Sequence, residues 1–318
     1  MSTEGGTRAV VAALLANTGI AVAKFVAAAI SGSASMLAEG VHSLADAGNQ
    51  VLLLVGGRRS RKAADASHPF GYGRERYVFA FVVAIILFSV GGMFSLYEGI
   101  HKLEAHEELN LPWIPLAVLA IAIVLESFSL RTAVIEANKA RGKDSLIAFI
   151  RHAKQPELPV ILLEDIAALT GLAFAFIGVS LSLVTGDVIW DAIGTIAIGI
   201  LLIGVAVILG IETKSLLVGE GATNRDVAKI RAAFEAHPSV EAIIHMKTLY
   251  LGPDELMVAA KVAVPKTTKA TELAKAINEI EIAVREAVPL ARVIYIEPDI
   301  YVAGSNTSTD AIVIPGHD

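Results

Sequence analysis

Three ionisable side chains capable of metal binding or proton transfer interrupt an apolar segment of this 318-residue chain. In the stretch MLAEGVHSLADAGNQ, Glu39, His42 and Asp46 stand between the apolar runs IAVAKFVAAAI and VLLLVGG. Together with Asn49 they fall at offsets 0, 3, 7 and 10, so a helix would place all four on one face. His42 and Asp46 are one turn apart, and an imidazole and a carboxylate at that spacing can converge on one point.

A second group of acids lies in another apolar segment, PVILLEDIAALTG. Glu164 and Asp165 are adjacent there, about 100° apart on a helix, so their carboxylates cannot both point at the same centre. The chain has no cysteine. One histidine with two or three carboxylates is a hard-to-borderline donor set, which tetrahedral Zn²⁺ accepts readily and which Mn²⁺, Fe²⁺ or Co²⁺ can also use. The two segments therefore predict a site for a divalent metal ion.

Two other interpretations of these buried groups stay open. His42 and Asp46 can form a purely structural bond within one helix. A basic side chain can also neutralise the acids; Lys24 is the nearest candidate, although its ammonium group can extend to the membrane interface instead. Because a charged residue at mid-bilayer costs at least about 2.5–3.5 kcal/mol, a bound cation is the more natural partner. A further acid, Glu126 in IVLESFSL, is a candidate for proton relay or for a bond to Ser127 or Ser129.

The surrounding sequence is typical of a membrane protein. Hydrophobic residues make up 54% of the chain and charged residues 18%, with a mean hydropathy of +0.63. Average soluble chains have about 45–50% hydrophobic residues and about 25% charged residues. A helix needs about 20 mostly apolar residues to cross the roughly 30 Å hydrocarbon core. Six segments satisfy this condition, of which the second and fifth carry the acids: Arg8–Ile30, Ser35–Gly57, Arg76–Glu98, Pro112–Ile135, Leu158–Leu183 and Val188–Ile211.

Basic residues predict the orientation of these spans. The connection after span two contains six lysines and arginines, and the connection after span four contains five. The connections after spans one and five contain none, and the one after span three contains only Lys102. Because cytoplasmic loops carry the excess of Lys and Arg, both termini are predicted to be cytoplasmic, in a multi-pass protein of the cell (inner) membrane.

The last hundred residues alternate polar and apolar residues as a soluble α+β domain does. Their predicted order is helix, strand, strand, helix, strand, with a turn at Gly252-Pro253 between the first two strands, and we expect a ferredoxin-like fold. We therefore divide the chain into a six-helix transmembrane domain at 1–211, a cytoplasmic α+β domain at 212–300 and a loose tail at 301–318. The mild net charge of −6 gives no indication of a nucleic-acid partner.

Three motifs together resemble the cation diffusion facilitator family: SGSASMLAEGVHSLADAGNQVLLL, HPFGYGRERY and WDAIGTIAIGILLIGVAVILGIETKSLLVGE. The resemblance covers the six spans and, more loosely, the C-terminal domain. It implies a transport site with two ligands four residues apart in span two, matched by His42 and Asp46. It also implies a histidine and an aspartate four apart in span five, of which Asp165 matches the aspartate.

This chain departs from the family pattern at the remaining ligand. Ile161 stands where the span-five histidine would be, and an isoleucine cannot bind a metal. The Leu-Glu-Asp pattern is similar to the branch related to mitochondrial zinc transporters. We hypothesise that Glu164 or a water completes the shell, so the predicted ligands are His42, Asp46, Asp165 and Glu164.

The resemblance also implies features outside that site. Asp65 and His68 correspond to a possible secondary metal site at the cytoplasmic edge of some members, where Tyr72 replaces a further histidine; a loop packed on the membrane surface is the alternative. His245 sits where some members bind zinc between subunits. Because the other histidines of that site are absent, we expect His245 and His237 to be ordinary surface histidines. The family works as a homodimer whose C-terminal domains meet in the cytoplasm.

The resemblance implies proton-coupled efflux of divalent metal cations out of the cytoplasm by alternating access, and the histidine favours Zn²⁺. Metal binding requires neutral imidazole and ionised carboxylates, so loading releases protons and protonation expels the metal. The expected partners are the metal ion, protons, the lipid bilayer and a second copy of the chain, without a cofactor. The same transporter carrying Mn²⁺, Fe²⁺ or Co²⁺, or a non-transporting membrane metal sensor, is the alternative. An enzyme is not expected, because an intramembrane metallohydrolase usually carries H-E-x-x-H and HSLAD lacks that glutamate.

Overall fold

The computed structural model describes residues 3–105, 111, 113–142 and 145–300 of the chain. They form two compact units. The first contains the residues up to Lys62 and Glu75–Lys214, and the second contains Ala63–Arg74 and the residues from Ser215 onward. The tail predicted at 301–318 lies outside the described residues.

The first unit consists of long helices joined by short connections. Its described helices are α1 (Thr3–Ser31), α2 (Ala34–Arg59), α3 (Glu75–Ile86), α4 (Phe94–Ala105), α5 (Trp113–Arg141), α6 (Leu146–His152), α7 (Glu157–Thr185) and α8 (Ile189–Val218). A π-helical segment, Leu87–Met93, joins α3 to α4 in one continuous helix. The turn after α7 forms at Gly186, whose φ of 72° suits a glycine at a helix C-terminus.

Four of the described helices are long and apolar enough to cross a membrane: Glu75–Glu104, Trp113–Arg141, Glu157–Thr185 and Ile189–Val218. They overlap the third to sixth predicted spans. In α1, the described apolar stretch Asn17–Ser31 is shorter than a span. The helix α2 is long but does not reach the same hydropathy, because its stripe of acid, histidine and amide side chains interrupts the apolar residues. Four apolar helices of a membrane protein are thus established.

The helices pack around a common apolar core and leave apolar side chains on the outside. Met36 of α2, Leu119 of α5 and Leu172 of α7 are completely buried in this core. On α5, Ile121 and Phe128 are both 62% exposed. A helix that is apolar on its inner and outer faces is typical of a membrane segment, whose outer face contacts lipid.

An acid from α8 holds the first turn of α2. Asp191 is completely buried, and its Oδ2 accepts a hydrogen bond from the backbone N–H of Ala34 at 2.7 Å. Its Oδ1 accepts from the Ser33 hydroxyl at 2.9 Å and from the Ser35 hydroxyl. A carboxylate is favourable at a helix N-terminus, where backbone N–H groups lack partners within the helix. This network fixes where α2 begins and therefore helps to set the direction of its polar stripe.

The second unit contains the predicted order of helices and strands. Its elements are α9 (Asn224–Glu235), β1 (Ala242–Gly252), β2 (Glu255–Ala263), α10 (Ala270–Ala287) and β3 (Ala291–Asp299). The sheet has the order β1-β2-β3, with β1 antiparallel and β3 parallel to β2. Alternate residues of β2, including Leu256 and Val258, are buried in a core with Phe234 of α9 and Val284 of α10. The strand-containing C-terminal domain is therefore observed, with three strands in the described part of the chain.

The Asp191 network makes a testable prediction about stability. We expect Asp191→Ala to destabilise the protein by about 3 kcal/mol or more, because a buried N–H and two hydroxyls lose a charged acceptor. The thermal midpoint of the purified protein in detergent measures this loss. Asp187→Ala is the matched control, since Asp187 is exposed and accepts from Ile189 N in the same turn at 3.0 Å. Equal shifts for the two variants would contradict the assigned role of Asp191.

Candidate metal-ion site

The polar stripe predicted on α2 is buried in the first unit. Glu39 and Asn49 are completely buried, His42 is 1% exposed, and the Asp46 side chain is 15% exposed. His42 Nε2 lies 3.5 Å from Asp46 Oδ2, so the two side chains predicted to converge are indeed neighbours. That separation is longer than a normal hydrogen bond. The structure therefore gives no support to a purely structural hydrogen bond between them.

Hydrogen-bonding atoms without partners are concentrated on this helix. Among the described residues, seven buried side-chain nitrogen and oxygen atoms have no hydrogen-bond partner, and six of them belong to α2: Glu39 Oε1, both ring nitrogens of His42, Asp46 Oδ1, Asn49 Oδ1 and Gln50 Oε1. Buried polar atoms in proteins are normally paired, so each exception calls for an explanation. Those of His42, Asp46 and Asn49 lie on the polar stripe and are donors that a metal ion could bind, whereas Gln50 lies about 100° around the helix from Asn49.

The two acids of α7 face different neighbours, as their adjacency predicted. Glu164 is 6% exposed and accepts a hydrogen bond from Asn49 Nδ2 of α2 at 2.8 Å. Asp165 instead accepts from the Ser129 hydroxyl of α5 at 3.0 Å. Ile161, the residue in place of the family histidine, is 36% exposed. In this conformation the α7 acid that bonds to the α2 stripe is thus Glu164.

Lys24 of α1 neutralises one acid of the stripe. Its side chain is 1% exposed, and its Nζ donates to Glu39 Oε2 at 2.9 Å and to Ser43 Oγ at 2.7 Å. The interpretation that this lysine extends to the membrane interface is therefore wrong. The other Glu39 oxygen lies against α7, because a Cβ added to Gly171 would sit 2.6 Å from Glu39 Oε1. Glycine at this position leaves room for the carboxylate between the two helices.

The predicted ligands are not gathered into one group in this conformation. Among the residues that the structure describes, no set of three or more His, Asp or Glu side chains is arranged to hold a metal ion. His42 and Asp46 are together, Glu164 reaches their helix through Asn49, and Asp165 is bonded to α5. Binding one ion with donors from both helices would require the α7 carboxylate to move relative to His42 and Asp46.

Glu126 of α5 extends the acidic surroundings of the site. It interacts electrostatically with Asp46 and with Asp165. The serines proposed as its partners bond elsewhere: Ser127 Oγ donates to the Ile123 carbonyl of its own helix, and Ser129 Oγ donates to Asp165. The role of Glu126 as a proton relay stays a prediction.

The possible secondary site in the second unit is a hydrogen-bonded turn. His68 Nδ1 lies 3.5 Å from Asp65 Oδ1, and that oxygen also accepts from the backbone N–H groups of Ser67 at 3.0 Å and His68 at 2.9 Å. Asp65 Oδ2 accepts from the Tyr72 hydroxyl at 2.7 Å. Tyr72, which replaces a family ligand, therefore bonds the carboxylate that would otherwise bind metal. Asp65 and His68 are brought together, with no third His, Asp or Glu ligand among the described residues.

The two C-terminal histidines differ in their surroundings. His237 Nε2 lies 3.1 Å from Glu279 Oε2, and this bond lowers the pKa of the Glu279 carboxyl group. His245 lies on β1, opposite Lys261 of β2, and its Nδ1 is buried without a hydrogen-bond partner among the described residues. His237 is thus accounted for by an ordinary side-chain hydrogen bond.

Long apolar helices with a buried stripe of titratable donors, followed by a strand-containing unit, define a helical membrane protein built around a polar intramembrane site. Comparison with known families identifies its kind. Residues 10–218 match the cation efflux transmembrane domain. The chain therefore belongs to the cation efflux, or cation diffusion facilitator, family, as its motifs indicated.

Several characterised proteins are similar to this chain. It is 34% identical over 242 residues to the human proton-coupled zinc antiporter SLC30A9, mitochondrial, covering 75% of this chain and 42% of the relative. It is 30% identical over 257 residues to metal tolerance protein C4 of Arabidopsis thaliana, covering 80% and 56%. It is 26% identical over 251 residues to the magnetosome protein MamM of Paramagnetospirillum magneticum, covering 76% and 72%. The chain thus spans about half the length of the first two relatives.

The Lys24–Glu39 pair makes a testable prediction. We expect Lys24→Met to cost about 3–5 kcal/mol of stability, because it leaves a buried carboxylate unpaired. Lys24→Met combined with Glu39→Gln should recover most of that loss, since both charges are then absent. Thermal midpoints in detergent measure the effect, with Lys139→Met as the control for an exposed pair with Glu136. A double variant no more stable than the single one would show that charge pairing is not what the two residues provide.

Proposed function

We propose that the protein exports divalent metal cations from the cytoplasm in exchange for protons, with Zn²⁺ as the preferred ion. Its membership of the cation efflux family supports this proposal, as does its similarity to a relative named a proton-coupled zinc antiporter and to another named a metal tolerance protein. The observation that carries it is the group of buried, unpartnered donor atoms that His42, Asp46 and Asn49 present on the polar stripe of α2. Such atoms have a physical explanation if a cation binds them during transport.

The proposed ligands are His42 and Asp46 of α2 with Glu164 of α7, and Asp165, which matches the family pattern, is the alternative acid. The hydrogen bond from Asn49 supports Glu164 as the α7 acid nearest to the stripe. A movement of α7 against α2 would bring its carboxylate to the His42–Asp46 pair. Because Asp165 of α7 accepts a hydrogen bond from Ser129 of α5, the same movement would also be transmitted to α5.

Exchange with protons follows from the chemistry of these donors. An imidazole binds metal only when its ring nitrogen is free of a proton, and carboxylates bind metal when ionised. Loading from the cytoplasm would release protons, and protonation after a change in access would displace the ion. Without metal or protons, the acids would carry uncompensated charge in an apolar medium, which is costly. That cost would couple the two fluxes.

The proposed topology has six spans, with α1 and α2 as the first two and both termini in the cytoplasm. At about 1.5 Å per residue, the 29 residues of α1 and the 26 residues of α2 are long enough to cross the hydrocarbon core. The basic connections after spans two and four support the orientation. We extend the proposal to a ferredoxin-like C-terminal domain, a homodimer and residence in the cell membrane.

A transport assay tests the proposed function. Protein is reconstituted into sealed vesicles with an acidic interior, and the uptake of Zn²⁺ and of Mn²⁺ is followed. We expect wild type to accumulate Zn²⁺ and Asp46→Ala to lower the initial rate by at least about tenfold, because a direct ligand is lost. Asp187→Ala is the control for removing an exposed carboxylate. A wild type that moves neither ion above empty vesicles would refute transport and leave a metal sensor as the alternative.

A pair of variants tests which acid of α7 binds the ion. The family match expects Asp165 to be the ligand, whereas the Asn49 bond favours Glu164. On the structural grounds, Glu164→Gln should lower Zn²⁺ flux by at least about tenfold, and Asp165→Asn should lower it less. Both changes keep side-chain size and remove one charge, so the comparison is matched. A greater loss from Asp165→Asn would restore the family assignment.

A further inference from the structure

Asn49 connects the two helices that would share the ion. It lies three residues after Asp46 and seven after His42, on the same stripe of α2, and it is completely buried. Its Nδ2 donates to Glu164 Oε1 at 2.8 Å. This hydrogen bond joins the polar stripe of α2 directly to an acid of α7. Asn49 is therefore placed to decide which α7 acid stays next to the stripe.

The same bond determines where the other end of the amide points. The NH₂ group of Asn49 faces Glu164, because it is the donor of this bond and a carboxylate oxygen accepts it. The amide oxygen then faces away from Glu164, and Oδ1 is buried without a hydrogen-bond partner among the described residues. An unpaired buried oxygen costs free energy unless something binds it. Amide oxygens are common ligands of hard divalent cations.

We propose that Asn49 is both the positioning residue for Glu164 and an oxygen ligand of the transported cation. This inference rests on the proposed transport function and deepens it. With Asn49, the site has one imidazole and three oxygen donors, from Asp46, Glu164 and Asn49. The amide thus supplies the fourth donor that Ile161 cannot supply.

The donor set has a consequence for metal preference. Replacing an imidazole by an amide oxygen makes a site harder, and carboxylate and carbonyl oxygens suit Mn²⁺ better than they suit Zn²⁺. The Asn49 oxygen should therefore contribute more to Mn²⁺ binding than to Zn²⁺ binding. A residue with a purely structural role would weaken both ions alike, so the ratio of the two affinities separates the two roles.

The test compares Asn49→Ala with Gln50→Ala by calorimetric titration of the purified full-length protein with Zn²⁺ and with Mn²⁺. Gln50 is a stringent control because it is also an amide with a buried oxygen that has no partner among the described residues. It is the next residue along α2, so its side chain points about 100° away from that of Asn49 and off the polar stripe. We expect Asn49→Ala to lower the affinity for Mn²⁺ by at least about tenfold and the affinity for Zn²⁺ by less. Gln50→Ala should bind both ions with affinities close to those of the wild type.

A second variant keeps the test decisive if Asn49→Ala does not fold. Asn49→Asp keeps an oxygen at this position but removes the NH₂ donor, so it should retain Mn²⁺ binding while lowering the rate of Zn²⁺ transport in vesicles. Equal losses for both ions in Asn49→Ala, or equal effects of Asn49→Ala and Gln50→Ala, would overturn the inference. Loss of Mn²⁺ binding in Asn49→Asp would overturn it too. These outcomes presuppose a wild type that binds metal; a wild type that binds and transports neither ion would instead refute the proposed function.

Discussion

Ionisable groups inside an apolar helix bundle must be compensated, and this constraint explains several of the buried side-chain contacts between helices in the first unit. Three buried acids are each compensated by a specific contact. Glu39 is paired with Lys24, Asp191 accepts bonds from the first turn of α2, and Glu164 accepts from Asn49. These contacts come from four different helices, so compensating the charges also holds the helices together. A bundle with an apolar exterior thereby obtains a fixed polar interior.

The compensation is incomplete on the polar stripe of α2, where several buried donor atoms have no partner among the described residues. Both nitrogens of His42, one oxygen of Asp46 and the oxygen of Asn49 are buried without partners. In an apolar medium unpaired polar atoms are costly, and a bound cation would remove that cost. The Lys24–Glu39 pair fixes the stripe at one end and the Asn49–Glu164 bond fixes it at the other. The free donors between them are therefore held on one face of α2.

The sequence predicted what depends on helical and strand periodicity, and it missed what depends on contacts between helices. Residue spacing was enough to predict the stripe on α2 and the divergence of Glu164 and Asp165. It also predicted the order of helices and strands after Ser215. The burial of Lys24 does not, because its partner lies 15 residues away on another helix. The sequence shows an acid, Asp191, in the apolar segment that forms α8. It does not show the partners of this acid, which lie 156–158 residues earlier in the chain.

Locating the ion in the Zn²⁺-loaded protein would test most directly whether α2 and α7 share one cation. Anomalous scattering at the zinc absorption edge, from crystals grown with Zn²⁺, gives that position independently of any assumption about ligands. We predict a peak bounded by His42, Asp46 and Glu164, with the Asn49 oxygen in contact. A peak at Asp65 and His68 alone, or one next to Asp165 and away from His42, would contradict this description of the site.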